Sequence, residues 1–197
     1  MLYYMTMIDK KSKKTLDQIN FVVLSKLTTK QELDVSALTK LAFVDVDEAE
    51  ATADFYHPMS AQVLAYSDEK LVGWAGVHET EQDHLEKTIK LGGYGICTHP
   101  DWQRRGIASK VAEKAMEFLK ESGCEVGFLS VNPGDKGSVR LHGKFGFVML
   151  PQQFSWTNSS GEVKKDIGGM IAPIESKQLF EYILSSDELF YVGHGYW

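Results

Sequence analysis

Between residues 107 and 119 the apolar positions fall four apart, at Ile107, Val111, Ala115 and Leu119, with charged residues between them. That spacing predicts an amphipathic helix from near Gly106 to about Glu121, about 24 Å long, with Gly123 as its C-terminal cap. Upstream, Leu91 to Thr98 reads as a strand stopped by Pro100. Three glycines, Gly92, Gly93 and Gly95, lie inside that strand. Glycine weakens strands, so an irregular strand is expected, with a bulge or with a ligand or another backbone coming close.

The same reading places a first strand at Phe21 to Leu24 and a helix from Gln31 to Phe43 with Leu33, Leu38, Leu41 and Ala42 turned inward. The acidic stretch Asp45 to Asp54 is read as continuing into a second helix. Ala61 to Tyr66 and Leu71 to Val77 alternate as strands and meet at the hairpin-type turn Ser67-Asp68-Glu69-Lys70. Val126 to Val131 is the next strand and Gly137 to Lys144 a short helix. Phe147 to Leu150 and Met170 to Ile174 are late strands, and Gln178 to Leu184 a last helix before the tail Leu189 to Trp197. Hairpins that precede strand-helix alternation imply a mixed sheet, an α/β (α+β) fold, in a single domain over residues 1–197.

Composition narrows the function classes. A chain of 197 residues can bury roughly 70% of its unfolded surface in one domain. No apolar run approaches the ~20 residues of a membrane span, and Met1 to Met7 lacks a signal-peptide core, so a cytoplasmic protein with no membrane partner is expected. Cys97 and Cys124 have neither metal-ligand spacing nor a disulfide framework and read as free thiols. The net charge of -6 opposes nucleic-acid binding and favours a cationic small substrate. Lys10, Lys11, Lys13 and Lys14 read as a solvated flank.

The junction Gln103-Arg104-Arg105-Gly106-Ile107-Ala108 is where the pattern acquires chemistry. A helix that starts there offers unpaired backbone N–H groups and the positive end of its dipole, a natural seat for phosphate oxygens. Gly106 and Ala108 keep side chains out of the way, while Arg104 and Arg105 add charge. No G-x-x-x-x-G-K-[ST] loop exists, and Gly93-Tyr94-Gly95 meets Thr98 where a dinucleotide fingerprint needs its third glycine.

Read together, these segments resemble the GNAT N-acetyltransferase superfamily. Gln103, Gly106 and Ala108 match its Gln/Arg-x-x-Gly-x-Gly/Ala signature, and the strand and short helix ending in Phe145-Gly146-Phe147 match its second landmark. The resemblance is strongest from Leu71 to Leu150. It implies a mostly antiparallel central sheet flanked by helices, with a splayed strand pair holding CoA. It further implies acetyl transfer from acetyl-CoA, with no metal, to an amine of a small molecule, by direct attack on the thioester. The pyrophosphate would rest on Gln103, Arg104, Arg105, Gly106, Ile107, Ala108 and Ser109, and the pantetheine arm would pair with Ile96, Cys97 and Thr98. A polyamine or aminoglycoside is one kind of acceptor. A peptide amine, a longer acyl chain, or a non-catalytic CoA-binding sensor are the alternatives, and a homodimer is left open.

The family's usual acid is a tyrosine five residues before the final Phe of the aromatic turn, and His142 stands there. Near pH 7 a histidine can also donate a proton to a thiolate, so His142 is the candidate acid. Asp135 likewise replaces a frequent Asn. For the base, the candidates are Tyr94 on the glycine-rich strand and Glu79 after the preceding one, where Glu79 and Glu81 share a face opposite His78. The group from His78 to His84 fits no metal template and reads as a solvated hairpin loop. The segment from Asp187 to Trp197 resembles the end of the aminoglycoside 2'-N-acetyltransferases, which implies Trp197 as a substrate contact; Glu81 is a further substrate-binding candidate. The chain departs from those enzymes at Gly195 and Tyr196, where acidic residues are expected, and at Tyr94, where they have Glu.

Overall fold

The computed structural model describes residues 16–43, 59–84 and 87–195. The elements are β1 (Asn20–Leu24), α1 (Thr29–Ala42), β2 (Ala61–Ser67), β3 (Lys70–His84) and β4 (Lys87–Thr98), then a 3-10 turn at Pro100–Trp102, α2 (Ile107–Glu121) and β5 (Val126–Ser130). They continue with α3 (Lys136–Gly143), β6 (Val148–Met149), β7 (Phe154–Thr157), β8 (Val163–Asp166), β9 (Gly169–Pro173), α4 (Lys177–Ser185) and β10 (Phe190–His194). The acidic stretch expected to form a second helix lies outside the described residues.

Seven strands form the main sheet in the order β1-β2-β3-β4-β5-β9-β6, antiparallel except where β4 meets β5. A smaller sheet, β10-β7-β8, packs beside it. Phe190–His194, within the stretch from Leu189 read as a tail, thus contributes a strand, and β8, with the sequence Val163-Lys164-Lys165-Asp166, is too polar to have been legible as one. The reading that ended a strand at Val77 also stopped short. β3 runs to His84, so Glu79 and Glu81 lie in the ladder rather than in a loop, with Glu79 opposite Gly92 and Glu81 opposite Lys90.

One face of the main sheet carries α2, whose Ile107, Val111, Ala115 and Leu119 are buried against Val63, Ala75 and Val77. The helical period read from the sequence is therefore the packing period. The other face carries α1 near Trp74 and Cys97, and further along carries α4, β7 and β10 against Phe128 and Ile171. The Gln82 side-chain amide donates to the Tyr191 carbonyl and ties β3 to β10.

α1 corrects one expectation. A Thr28–Gln31 capping box starts it, and Leu38 is buried, but Leu33 and Leu41 are exposed at 67% and 50%. The stripe that meets the sheet is Val35, Leu38 and Ala42, spaced three and four apart. Leu33 lies five residues from Leu38, about 140° around the helix, and points away. Truncating Leu38 to Ala should therefore cost about 2–5 kcal/mol in urea denaturation. Leu33→Ala should stay within about 0.5 kcal/mol of the parent. Equal losses for the two variants would contradict this orientation of α1.

Candidate functional site

β4 and β5 run parallel but pair only at Leu91 with Val126 and Gly92 with Gly127. Beyond that point β4 keeps β3 on one edge, residue for residue to Thr98 opposite Gly73, and has no strand partner on the other. The splay anticipated from the glycines is present, but the bulge is not, because the β3–β4 register is unbroken. The glycines serve close approach instead. A Cβ on Gly92 would stand 2.6 Å from Leu119 Cδ2 and 2.7 Å from Cys124 Sγ, where the end of α2 presses on the sheet. Gly95 opens onto free space.

From β4 the chain turns through Pro100–Trp102 into α2. Arg104 (φ 58°) and Gly106 (φ 84°) both take left-handed backbone, and no side chain caps the first turn of α2. For arginine that conformation costs roughly 1 kcal/mol, and it lets the chain enter the helix with its first N–H groups unclaimed. They border a cleft of about 380 Å³ whose one wall comprises Thr98, Gln103, Arg104, Gly106, Ala108 and Ser109, with Trp102 and Ile107. The opposite wall is the helix α3, through Gly137, Arg140, Leu141 and Lys144. α3 is itself capped by Asp135, whose carboxylate accepts from the N–H groups of Gly137 and Ser138 at 2.9 and 3.1 Å.

The sequence-predicted residues divide on inspection. Gln103, Arg104, Gly106, Ile107, Ala108, Ser109 and Thr98 border the cleft. Arg105 does not: its guanidinium lies 4.6 Å from the centre of the Trp102 ring and donates to the Asp101 carbonyl. Ile96 packs half-buried against the α2-side core, and Cys97 turns to the opposite face beside Leu38 and Trp74, where burial pushes its thiol up to about 12. Of these three side chains only Thr98 reaches the cleft, and its Oγ1 is buried without a hydrogen-bond partner. Glu79 pairs with Lys90 at 3.5 Å, beside the C-terminal end of α2, and lies outside the cleft. Glu81 is exposed, and Trp197 lies outside the described residues.

Tyr94 and His142 come together. Tyr94 Oη lies 3.1 Å from His142 Nδ1, and Phe147 meets both rings edge-on at 6.0 Å. All three are buried. Burial pushes the Tyr94 phenol far above its ordinary value, which makes it a poor base at neutral pH. Burial also lowers His142 to about 4, with Asp135 opposing weakly, so the pair is a hydrogen bond between neutral groups. The expectation of a histidine titrating near pH 7 therefore meets a neutral imidazole, and His142 does not border the cleft.

The sequence model of the acetyltransferase (GNAT) family matches residues 32–147, more than half of the chain. This protein belongs to the acetyltransferase (GNAT) family. A curated relative, the N-alpha-acetyltransferase MAK3 of Arabidopsis thaliana, is 38% identical over 55 residues, which are 28% of this chain and 29% of that protein. The chain thus spans under a third of that relative's length. Among solved structures, the ribosomal-protein-S18-alanine N-acetyltransferase of Escherichia coli superposes with a TM-score of 0.55 at 17% identity, over 87% of this chain and 99% of that one. An aminoglycoside acetyltransferase from an uncultured soil metagenomic sample gives 0.52 at 19% identity, over 65% and 87%. At such identities the likeness is one of fold, and the fold shared is the GNAT sheet flanked by helices.

The α3 wall, Gly137, Arg140, Leu141 and Lys144, was missed because only the side of the junction contiguous in sequence was considered. Its signal was available in the spacing of Arg140 and Lys144, one turn apart on the short helix before Phe145-Gly146-Phe147.

The buried imidazole makes a pH prediction. His142 has a lower pKa folded than its usual 6.5, so the unfolded chain binds the proton more readily. Its contribution to stability is complete above pH about 6.5 and is lost as pH falls through about 4. In urea titrations, the stability gap between the wild type and His142→Asn should narrow between pH 7 and pH 4.5. A constant gap would refute a neutral buried His142.

Proposed function

We propose that this chain transfers an acetyl group from acetyl-CoA to a primary amine of a small molecule. The observation that carries the reading is the cleft itself: an uncapped helix start and a splayed strand edge converge on one opening, which Thr98 also borders. The helix start and the strand edge leave backbone polar groups without an internal partner, which a folded chain rarely tolerates unless a ligand supplies one. A CoA pyrophosphate and its amide-bearing arm fit that donor set. The first-turn N–H groups of α2 and the Arg104 guanidinium would hold the pyrophosphate, and the free edge of β4 from Gly93 to Thr98 would pair with the pantetheine amides.

Acetyl-CoA supplies an already activated thioester, so the chain's own task is to orient, exclude water and manage protons. Thr98 and the backbone of β4 orient. The Tyr94–His142–Phe147 group closes the α2 side of the sheet near the splay with neutral, dry side chains. The net charge of -6 supports a cationic acceptor, which is steered toward an acidic surface.

A second reading, a CoA-binding sensor without turnover, is favoured by one observation: the residue at the family's acid position is neutral and lies outside the cleft. Thiol release from acetyl-CoA, measured with polyamines, aminoglycosides, amino acids and peptides, separates the two. Turnover with a cationic small amine supports the transferase. CoA binding by calorimetry with no amine acetylated supports the sensor. Thr98→Val should weaken CoA binding by about three- to tenfold, the loss expected for one hydrogen bond, and an unchanged affinity would remove Thr98 from the site.

A further inference from the structure

Several of the chain's described cations are engaged. Lys110 pairs with Glu113 at 2.8 Å, Lys90 with Glu79 at 3.5 Å and Lys177 with Glu181 at 3.3 Å, while Arg105 is held by Trp102 and Asp101. Arg140 and Lys144 are not, and they border the cleft. Both are exposed, neither makes an ion pair or side-chain hydrogen bond with a described residue, and among the described residues no Asp or Glu borders the cleft they line. In a chain of net charge -6, they place two unpaired cations, four residues apart, on one wall of the cleft.

Dipole complementarity explains part of this, since both lie at the C-terminal end of α3. It requires only that they be near the last turn. It does not require that both border the cleft opposite Arg104 and the uncapped start of α2. A pyrophosphate seated on α2 uses the N–H groups and Arg104 and leaves the α3 pair without a counter-charge. CoA carries a second anion, the 3'-phosphate monoester on its ribose, which is close to doubly charged at neutral pH.

Resting on the CoA reading above, we infer that Arg140 and Lys144 form a second anion site that takes this 3'-phosphate, so that the cleft selects CoA over its dephosphorylated form. The two walls divide the ligand's charge: α2 holds the pyrophosphate common to many nucleotides, and α3 holds the group that marks CoA. Flexible, solvated cations suit that task, because a phosphate monoester accepts from either side chain without strict geometry.

The test is calorimetric titration of CoA and dephospho-CoA into the wild type, the double variant R140A/K144A, the charge-conserving R140K/K144R, and Arg104→Ala. The wild type should bind CoA about tenfold or more tightly than dephospho-CoA, as two charge-assisted contacts imply. In R140A/K144A that preference should collapse below about twofold, with dephospho-CoA affinity nearly unchanged, while R140K/K144R keeps it. Arg104→Ala should weaken both ligands alike. The preference should also shrink as salt rises, because the site is exposed. Equal affinity of the wild type for the two ligands, or a full preference retained in R140A/K144A, would overturn the inference and leave the CoA reading standing. Failure of the wild type to bind either ligand would overturn both. Both positions are exposed, so unchanged melting temperatures are expected and serve as the folding control.

Discussion

Separation of β4 from β5 after Gly92 and Gly127 is the constraint around which the site is arranged. A strand edge in the middle of a sheet exposes N–H and C=O groups that cannot be left buried and unpaired. The sheet accommodates this by completing every other edge nearby. β3 pairs with the whole of β4, and β9 with the whole of β5, so two well-paired halves meet at two residue pairs and diverge. The glycines belong to that junction, because the end of α2 lies too close for a side chain at Gly92 and the Phe147 ring stands 3.0 Å from where a Cβ of Gly127 would be.

Two kinds of electrostatic environment flank the opening. Around Tyr94, His142 and Phe147 the protein is buried and neutral, since burial holds the phenol protonated and the imidazole deprotonated. At the cleft, Arg104, Arg140 and Lys144 are exposed to solvent, and no carboxylate of the described residues borders the space. Basic side chains are thus gathered at the cleft, while the side chains behind it hold their hydrogen bond without adding charge.

Local signals were legible where one stretch of chain does the whole job. Gln103 to Ser109 could be read directly because a glycine-bearing strand-to-helix turn and a four-residue apolar period are both short-range properties. Errors arose where partners come from elsewhere. Arg105 looked equivalent to Arg104 until Trp102 offered its guanidinium an aromatic face. Glu79 looked free to act as a base until Lys90, opposite Glu81 on the neighbouring strand, paired with it. Leu33 looked like core until the sheet took the Val35, Leu38 and Ala42 stripe instead.

By itself, then, the sequence determined the described helices and the main-sheet strands, the helix start able to hold an anion, and the family landmarks at Gln103 to Ala108 and Phe145 to Phe147, because helical period, glycine freedom and turn chemistry act over a few residues. Only the tertiary structure decided that α3 becomes the second wall of the cleft, that Thr98 borders it, and that His142 meets Tyr94 in the buried interior. Those facts depend on contacts between residues tens of positions apart. Burial and charge pairing are set by such contacts, and no local pattern encodes them.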